Sequence, residues 1–395
     1  MTRALPALLL LLAALSLRGE DADSPGEARL ILPPVVHALA GLEANVYFDN
    51  AFLLLDSRSV VPDVVCAKGS QQGERWTWTP KPEDVGDHAF RMELRDERNA
   101  VVASASSVVR VHPRDSGNAD GKTPPSLLII GDSLTAASVY PTRILELAKA
   151  DGLPLTLVGT RGPGAEEGKP LGEVRHEGYG GWTAERFATH FTGKARGGPA
   201  KECGSPFLYR DGEADEPKLD LARYYEECND GAAPDFVTLL LGCNDTFSAT
   251  DETIEERIDR FVQHTETLLA EIRRAGPATR VGLLLPMPPA ASQDAFGASY
   301  GSGQTRWQYL RNRHRLVERM TEIFAGRGDA GIDLVAAHLN LDPVHGFPST
   351  TVAAHAHTEA EVVRQSNGVH PAPAGYRQIG DAIYAWLRGC PSPEP

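Results

Sequence analysis

The apolar run Leu127-Leu128-Ile129-Ile130 leads without a break into Gly131-Asp132-Ser133-Leu134-Thr135. An unbroken apolar run of this length reads as a strand buried on both faces, because a strand with one wet face alternates apolar and polar residues. Glycine, aspartate and serine favour a sharp turn at its end. The segment after the turn, Ala137 to Asp151, has the pattern of a helix. A serine hydroxyl is thereby delivered at the carboxyl end of a buried strand, close to the unpaired N–H groups of a helix start, where α/β folds gather their chemistry. The same three residues also serve as ordinary turn formers, so this segment alone leaves catalysis open.

Further apolar strands near Leu155, Phe236, Val281 and Ile332 alternate with helical stretches. In Glu252 to Arg274 the residues Ile254, Ile258, Phe261, Val262, Thr265, Leu268 and Leu269 fall on one helical face. Strand and helix in alternation predict an α/β fold: a three-layer sandwich of flavodoxin-like type, with a mostly parallel sheet covered on both sides. Two insertions, about Gly193 to Ala233 and Pro286 to Thr305, interrupt it and are the expected walls of a binding site.

Three more motifs follow in order: Gly178-Tyr179-Gly180-Gly181-Trp182-Thr183, Gly242-Cys243-Asn244-Asp245 and Asn367-Gly368-Val369-His370-Pro371. With Ser133 they supply a serine, a glycine, an asparagine and a histidine. The chain resembles the SGNH (GDSL) hydrolase family, whose four sequence blocks are named for those residues, over roughly Ser126 to Arg388. The stretch from His176 to Thr183, the insertions and the β-rich amino-terminal region are similar to its carbohydrate-esterase branch. The resemblance implies a serine ester hydrolase working through an acyl-enzyme, with Ser133 as nucleophile and His370 as base. It also implies an oxyanion site made of the Ser133 and Gly181 N–H groups and the Asn244 amide. Gly181 is chosen because it begins a Gly-x-Thr pattern. The reaction needs no cofactor and no metal, and no cysteine–histidine spacing looks like a zinc site.

One position departs from the family. Where an aspartate usually precedes the histidine by three residues, this chain has Asn367. An amide carbonyl can orient an imidazole but brings no charge to balance the imidazolium. Two readings follow. Either Asn367 fixes geometry while a carboxylate from elsewhere, Glu359, Glu361 or Asp342, supplies the charge, or the site runs on a Ser133–His370 dyad. Asp132 and Asp245 read as loop-bracing groups, since neighbours on a turn point apart. Trp182 and Tyr179, beside the oxyanion glycine, offer either a face for sugar stacking or core packing.

The remaining chain sets the context. Residues Ala4 to Leu17 are apolar and flanked by Arg3 and Arg18, too short for a bilayer and the length of a signal-peptide core. Residues 1–19 therefore read as a leader, and the mature protein as secreted or periplasmic; an uncleaved anchor is the other reading. Residues 26–113 carry short β-rich runs, with period-two alternation in Phe90-Arg91-Met92-Glu93-Leu94, and predict a small immunoglobulin-like β-sandwich. That region serves either as inert packing or as a carbohydrate-binding accessory. Residues 114–125 read as a connector and 126–390 as the hydrolase domain.

A net charge of −14 without a basic patch argues against nucleic acid and against anionic membrane surfaces. Five cysteines cannot all pair within one chain; Cys203 and Cys228, flanking the first insertion, are the candidate bridge, and Cys243 reads as an inert buried thiol. The expected substrate is an acylated polysaccharide or oligosaccharide, most plausibly acetylated. The alternatives are a lipase or thioesterase of the same family and a non-catalytic carbohydrate-binding protein on the same scaffold.

Overall fold

The computed structural model describes residues 28–114 and 124–390, apart from 168, 170, 195–198, 214, 329 and 330. The expected leader and most of the expected connector lie outside the described residues.

Six strands form the central sheet: β1 (Ser126–Gly131), β2 (Thr156–Val158), β3 (Glu177–Gly178), β4 (Phe236–Leu240), β5 (Arg280–Leu284) and β6 (Ile332–Val335). Their order is β2-β1-β4-β5-β6, with β3 paired to the carboxyl end of β1, and every pairing is parallel. The expected three layers follow from side-chain alternation. Leu128 and Ile130 of β1 share one core with Phe187 of α3 (Ala184–Thr189), Tyr224 of α4 (Leu221–Cys228), Phe261 of α6 (Ile254–Ala275) and Leu316 of α8 (Arg306–Phe324). Leu127 and Ile129 share the opposite core with Ile144 of α2 (Val139–Ala150) and Ile379 of α10 (Pro373–Gly389). Both faces of β1 are dry, which is why its sequence shows no alternation.

From β1 the chain crosses to β2 on one side and later returns to β4 on the other. The carboxyl end of β1 is therefore the switch point of the sheet, where the loops on its two sides diverge and leave a crevice.

Besides the short antiparallel pair Arg29–Leu30 and Phe52–Leu53, the amino-terminal residues build two smaller sheets. Val35–Leu39, Val101–His112, Gly86–Arg95 and Val61–Val65 form one; Ala44–Tyr47, Arg75–Trp78 and Ser70–Gln71 form the other. Phe90, Met92 and Leu94 are buried between them with Val46, Trp76 and Val109. Glu93, on the same strand, is buried too, and is held by ion pairs to Arg91 and Arg95.

This strand-rich unit docks on the α/β unit partly through buried polar groups. The Asn45 amide donates to Asn340 Oδ1 at 3.0 Å, and the Asn50 amide donates to the carbonyls of His338 and Leu341 at 2.9 and 2.7 Å. His338 and Asn340 belong to the short helix α9 (Ala337–Asn340).

The expected Cys203–Cys228 bridge is not formed. Cys203 donates its thiol hydrogen to the Pro199 carbonyl at 3.4 Å, and among the described residues no disulfide is present. Both side chains instead pack against the core on the α6 side of the sheet, where an apolar thiol is as well accommodated as a bridge. No helix among the described residues is long and apolar enough to cross a membrane.

Candidate active site

Ser133 is the first residue of α1 (Ser133–Ala136), directly beyond β1. Asp132 caps that helix by accepting the Leu134 N–H at 2.9 Å. The turn is possible only because residue 131 lacks a side chain: a Cβ there would come within 2.0 Å of Thr135 Oγ1. His370 lies in the loop before α10 and places Nε2 2.8 Å from Ser133 Oγ. The two residues are 237 positions apart in the chain. For Nε2 to accept the serine proton, Nδ1 must carry the ring hydrogen.

The glycine motif reaches the site through β3. Pairing of Ile130 with Glu177 and Gly131 with Gly178 sets it beside the nucleophile turn. Trp182 N–H closes a tight turn on the Tyr179 carbonyl at 3.2 Å, with Gly181 at φ +76° in the position that demands a left-handed backbone. The turn's own bond leaves the Gly181 N–H out, and Gly180 and Gly181 are exposed.

Asn244 lies on α5 (Cys243–Thr246), beyond β4. Its amide nitrogen donates to the Trp182 carbonyl at 3.0 Å and to Asp132 Oδ2 at 3.2 Å. Asp132 thus links the nucleophile turn to the amide motif, a role beyond the bracing read from sequence. Asp245 is a pure brace: its carboxylate accepts the N–H groups of Ala184 and Gly242 at 3.0 and 3.1 Å. Burial pushes both aspartates up to about 7, so neither is a strong anion at neutral pH. Cys243 is buried against the Tyr309 hydroxyl at 3.1 Å, and burial raises its thiol far above the range where a thiolate forms.

Tyr179 and Trp182 do not offer a sugar-stacking face. Both are 0% exposed and stacked on each other with ring centroids 4.3 Å apart. Their polar tips are used internally, Tyr179 on Glu177 at 2.7 Å and Trp182 on the Ala200 carbonyl at 3.1 Å. An amphipathic ring beside a functional glycine carries the same sequence signal whether it faces in or out; only the packing decides.

Asn367 makes no hydrogen bond to the imidazole of His370. Its side-chain oxygen accepts the N–H groups of Val369 and His370 at 3.0 and 2.8 Å, so it shapes the loop that carries the ring. The three carboxylates considered as charge partners are elsewhere. Asp342 accepts the N–H groups of Val344 and His345, while Glu359 and Glu361 are exposed around the hairpin of β7 (Ser349–Ala353) and β8 (Glu361–Gln365). Burial alone lowers the pKa of His370 below its ordinary 6.5, and no carboxylate opposes it.

The second insertion packs against the loop that carries His370. Its helix α7 (Gln293–Tyr300) brings Phe296 against Gly368, where a Cβ would come within 2.7 Å of the ring, and the Ala290 N–H bonds the Gly368 carbonyl at 3.0 Å. A second serine–histidine contact, Ser138 Oγ to His176 Nε2 at 2.8 Å, was not foreseen. It is not a second catalytic pair. His176 Nδ1 accepts the Gly178 N–H at 3.0 Å, so Nε2 bears the proton and donates it to Ser138. The contact ties β3 to the chain just after α1.

The model for GDSL-like lipase/acylhydrolases matches residues 127–383, which include all four motifs. The chain belongs to this family. No curated protein matches it. Solved structures with similar folds include a carbohydrate esterase family 3 protein from Talaromyces cellulolyticus, 17% identical, covering 67% of this chain and 96% of that one at a TM-score of 0.38. A family 3 carbohydrate esterase from Clostridium thermocellum is 17% identical, with 66% and 93% covered and a TM-score of 0.37. An acetyl xylan esterase is 14% identical, with 66% and 99% covered and a TM-score of 0.35.

Within the GDSL family this chain therefore brings its candidate nucleophile Ser133 and candidate base His370 into contact, with Asn367 at the position where the family resemblance implies an aspartate. If His370 is the base, it works only when neutral, so the acid limb of kcat/KM is expected to have its midpoint below pH 6.5. Asn367→Asp places a carboxylate oxygen where the amide nitrogen sits and keeps an acceptor for the two loop N–H groups. The expected result is an acid limb moved to higher pH and kcat raised about tenfold or more at pH 8, checked by a pH–rate profile of both proteins. An unmoved limb would show that no charge at residue 367 is felt by the ring.

Proposed function

We propose that this GDSL-family protein is an exported serine esterase that removes short acyl groups, acetyl foremost, from a polysaccharide. The observation that carries the ester chemistry is the 2.8 Å contact between Ser133 Oγ and His370 Nε2 at the switch point of the sheet. In this reading His370 takes the serine proton as Ser133 attacks the ester carbonyl. The N–H groups of Ser133 and Gly181 and the Asn244 amide receive the developing oxyanion. His370 then returns the proton to the departing sugar hydroxyl, leaving an acyl-enzyme. Water, deprotonated by the same imidazole, releases the acid and regenerates Ser133.

A polymeric alcohol is supported by the openness of the site. Ser133 and His370 are both part-exposed and the Gly180–Gly181 turn is exposed, so an ester on a bulky chain can approach without entering a tunnel. The apolar segment Ala4 to Leu17 supports export to where such polymers are found.

The test is hydrolysis of p-nitrophenyl esters of increasing acyl length, alongside acetate release from acetylated xylan and acetylated pectin. Highest kcat/KM on acetyl, falling with chain length, together with acetate release from a polymer supports the proposal. A preference for long acyl chains would replace it with a lipase, and polymer binding without hydrolysis of any ester would replace it with a carbohydrate-binding protein.

A further inference from the structure

Where the amino-terminal strands meet the α/β unit, a cation is buried without a counter-charge among the described residues. Arg313, on α8, is 3% exposed. Its Nε donates to the Pro286 carbonyl at 2.9 Å and its Nη1 to the Asn50 carbonyl at 3.1 Å, while Nη2 has no partner among the described residues. Two histidines are buried with it: His314, the next residue on α8, and His338 on α9, at 2% and 1% exposed. Nε2 of His314 and both ring nitrogens of His338 are without a hydrogen-bond partner among the described residues.

These side chains form one cluster across the junction. Asn50 links two of them, its carbonyl accepting from Arg313 and its amide donating to the His338 carbonyl. Arg313 and His314 are also the charged and titratable neighbours that His338 feels, and Arg29 adds a further positive neighbour to His314.

The inventory of donors and acceptors is one-sided. Burial lowers Arg313 to about 10, which leaves it charged at neutral pH, and its one titratable neighbour of electrostatic weight, Tyr309, is neutral there. The same burial lowers His314 to about 3 and His338 well below 6.5, so both rings are neutral and each has one N–H to give. An isolated buried cation is among the costliest groups a protein can hold, and such cations are found paired. A buried water would satisfy a donor but would leave the charge uncompensated.

We propose that Arg313, His314 and His338 form a buried binding site for one small monovalent inorganic anion of halide size, which holds the amino-terminal strands on the catalytic unit. The anion is monovalent because a single guanidinium charge must be balanced. It is small because all three side chains are sealed from solvent. Arg313 Nη2 and the two imidazole N–H groups are its donors.

The test uses the whole protein and bromide as the probe. Crystals grown or soaked in sodium bromide should show an anomalous peak within hydrogen-bond reach of Arg313 Nη2 and His338. In solution, the unfolding midpoint should be about 2–4 °C higher in sodium bromide or chloride than in sodium gluconate at the same ionic strength. Arg313→Met, close in volume and uncharged, should abolish that difference; should it fail to fold, His338→Leu serves as the second variant and should weaken it. A water without anomalous signal at this position, a bromide bound elsewhere as an adventitious ion only, or a midpoint indifferent to the anion in the wild type would each overturn the proposal.

Discussion

Ser133→Ala and His370→Ala are each expected to lower kcat for p-nitrophenyl acetate by about 10⁴- to 10⁶-fold, and the double variant should be no worse than the worse of the two. The reason is geometric. With Nε2 2.8 Å from Oγ, the proposed acylation step needs both groups together. Removing the hydroxyl leaves the base with nothing to activate, and removing the base leaves an alcohol that is a poor nucleophile at neutral pH. Neither change should unfold the protein, because both side chains are part-exposed and neither fills the core. The measurement is kcat and KM for the two single variants and the double, with thermal unfolding alongside. Losses that multiply in the double variant, or more than a tenth of wild-type activity in either single one, would break the pairing.

Asn244→Ala is expected to lower kcat by about 10²- to 10³-fold with KM little changed, as for the loss of one oxyanion donor. The amide is held before substrate arrives, between the Trp182 carbonyl at 3.0 Å and Asp132 Oδ2 at 3.2 Å. Both amide hydrogens are engaged in the resting site, so one of these bonds must be exchanged for the substrate oxygen when charge develops there. The variant also strips a partner from a buried carboxyl and a backbone carbonyl, at about 1–3 kcal/mol of stability. Steady-state kinetics on a fully folded sample separates the two effects. A loss confined to KM would assign Asn244 to ground-state binding, and an unfolding midpoint that falls while kcat holds would assign it to structure alone.

Much of the site was legible before any coordinates, and for reasons that can be named. Leu127 to Ile130 announced a doubly buried strand because such a strand needs no polar face. Gly131 was legible as a turn residue from the Gly-Asp-Ser sequence, and a Cβ there would clash with Thr135; that Gly181 and Gly242 sit at φ +76° and +105° only the structure showed. What misled was side-chain direction. Tyr179 and Trp182 stand beside a functional turn, yet 27° between their stacked ring planes and 0% exposure put them in the core. Cys203 and Cys228 flank an insertion, as bridge partners do, and pack against the same core as free thiols.

Local chemistry lives in short stretches of chain, so the sequence by itself determined the strand, the nucleophile turn, the oxyanion candidates, the histidine loop and the parallel α/β layering. Each depends on backbone preferences and hydrophobic period acting over a few residues. Tertiary structure alone decided that Asn367 shapes its own loop and leaves His370 without a carboxylate, that Asp132 reaches across to Asn244, and that Arg313 is sealed at the junction of the two units. Those outcomes depend on where side chains from segments far apart in the chain come to rest, and a carboxylate or a guanidinium has no fixed partner until folding has put one within reach.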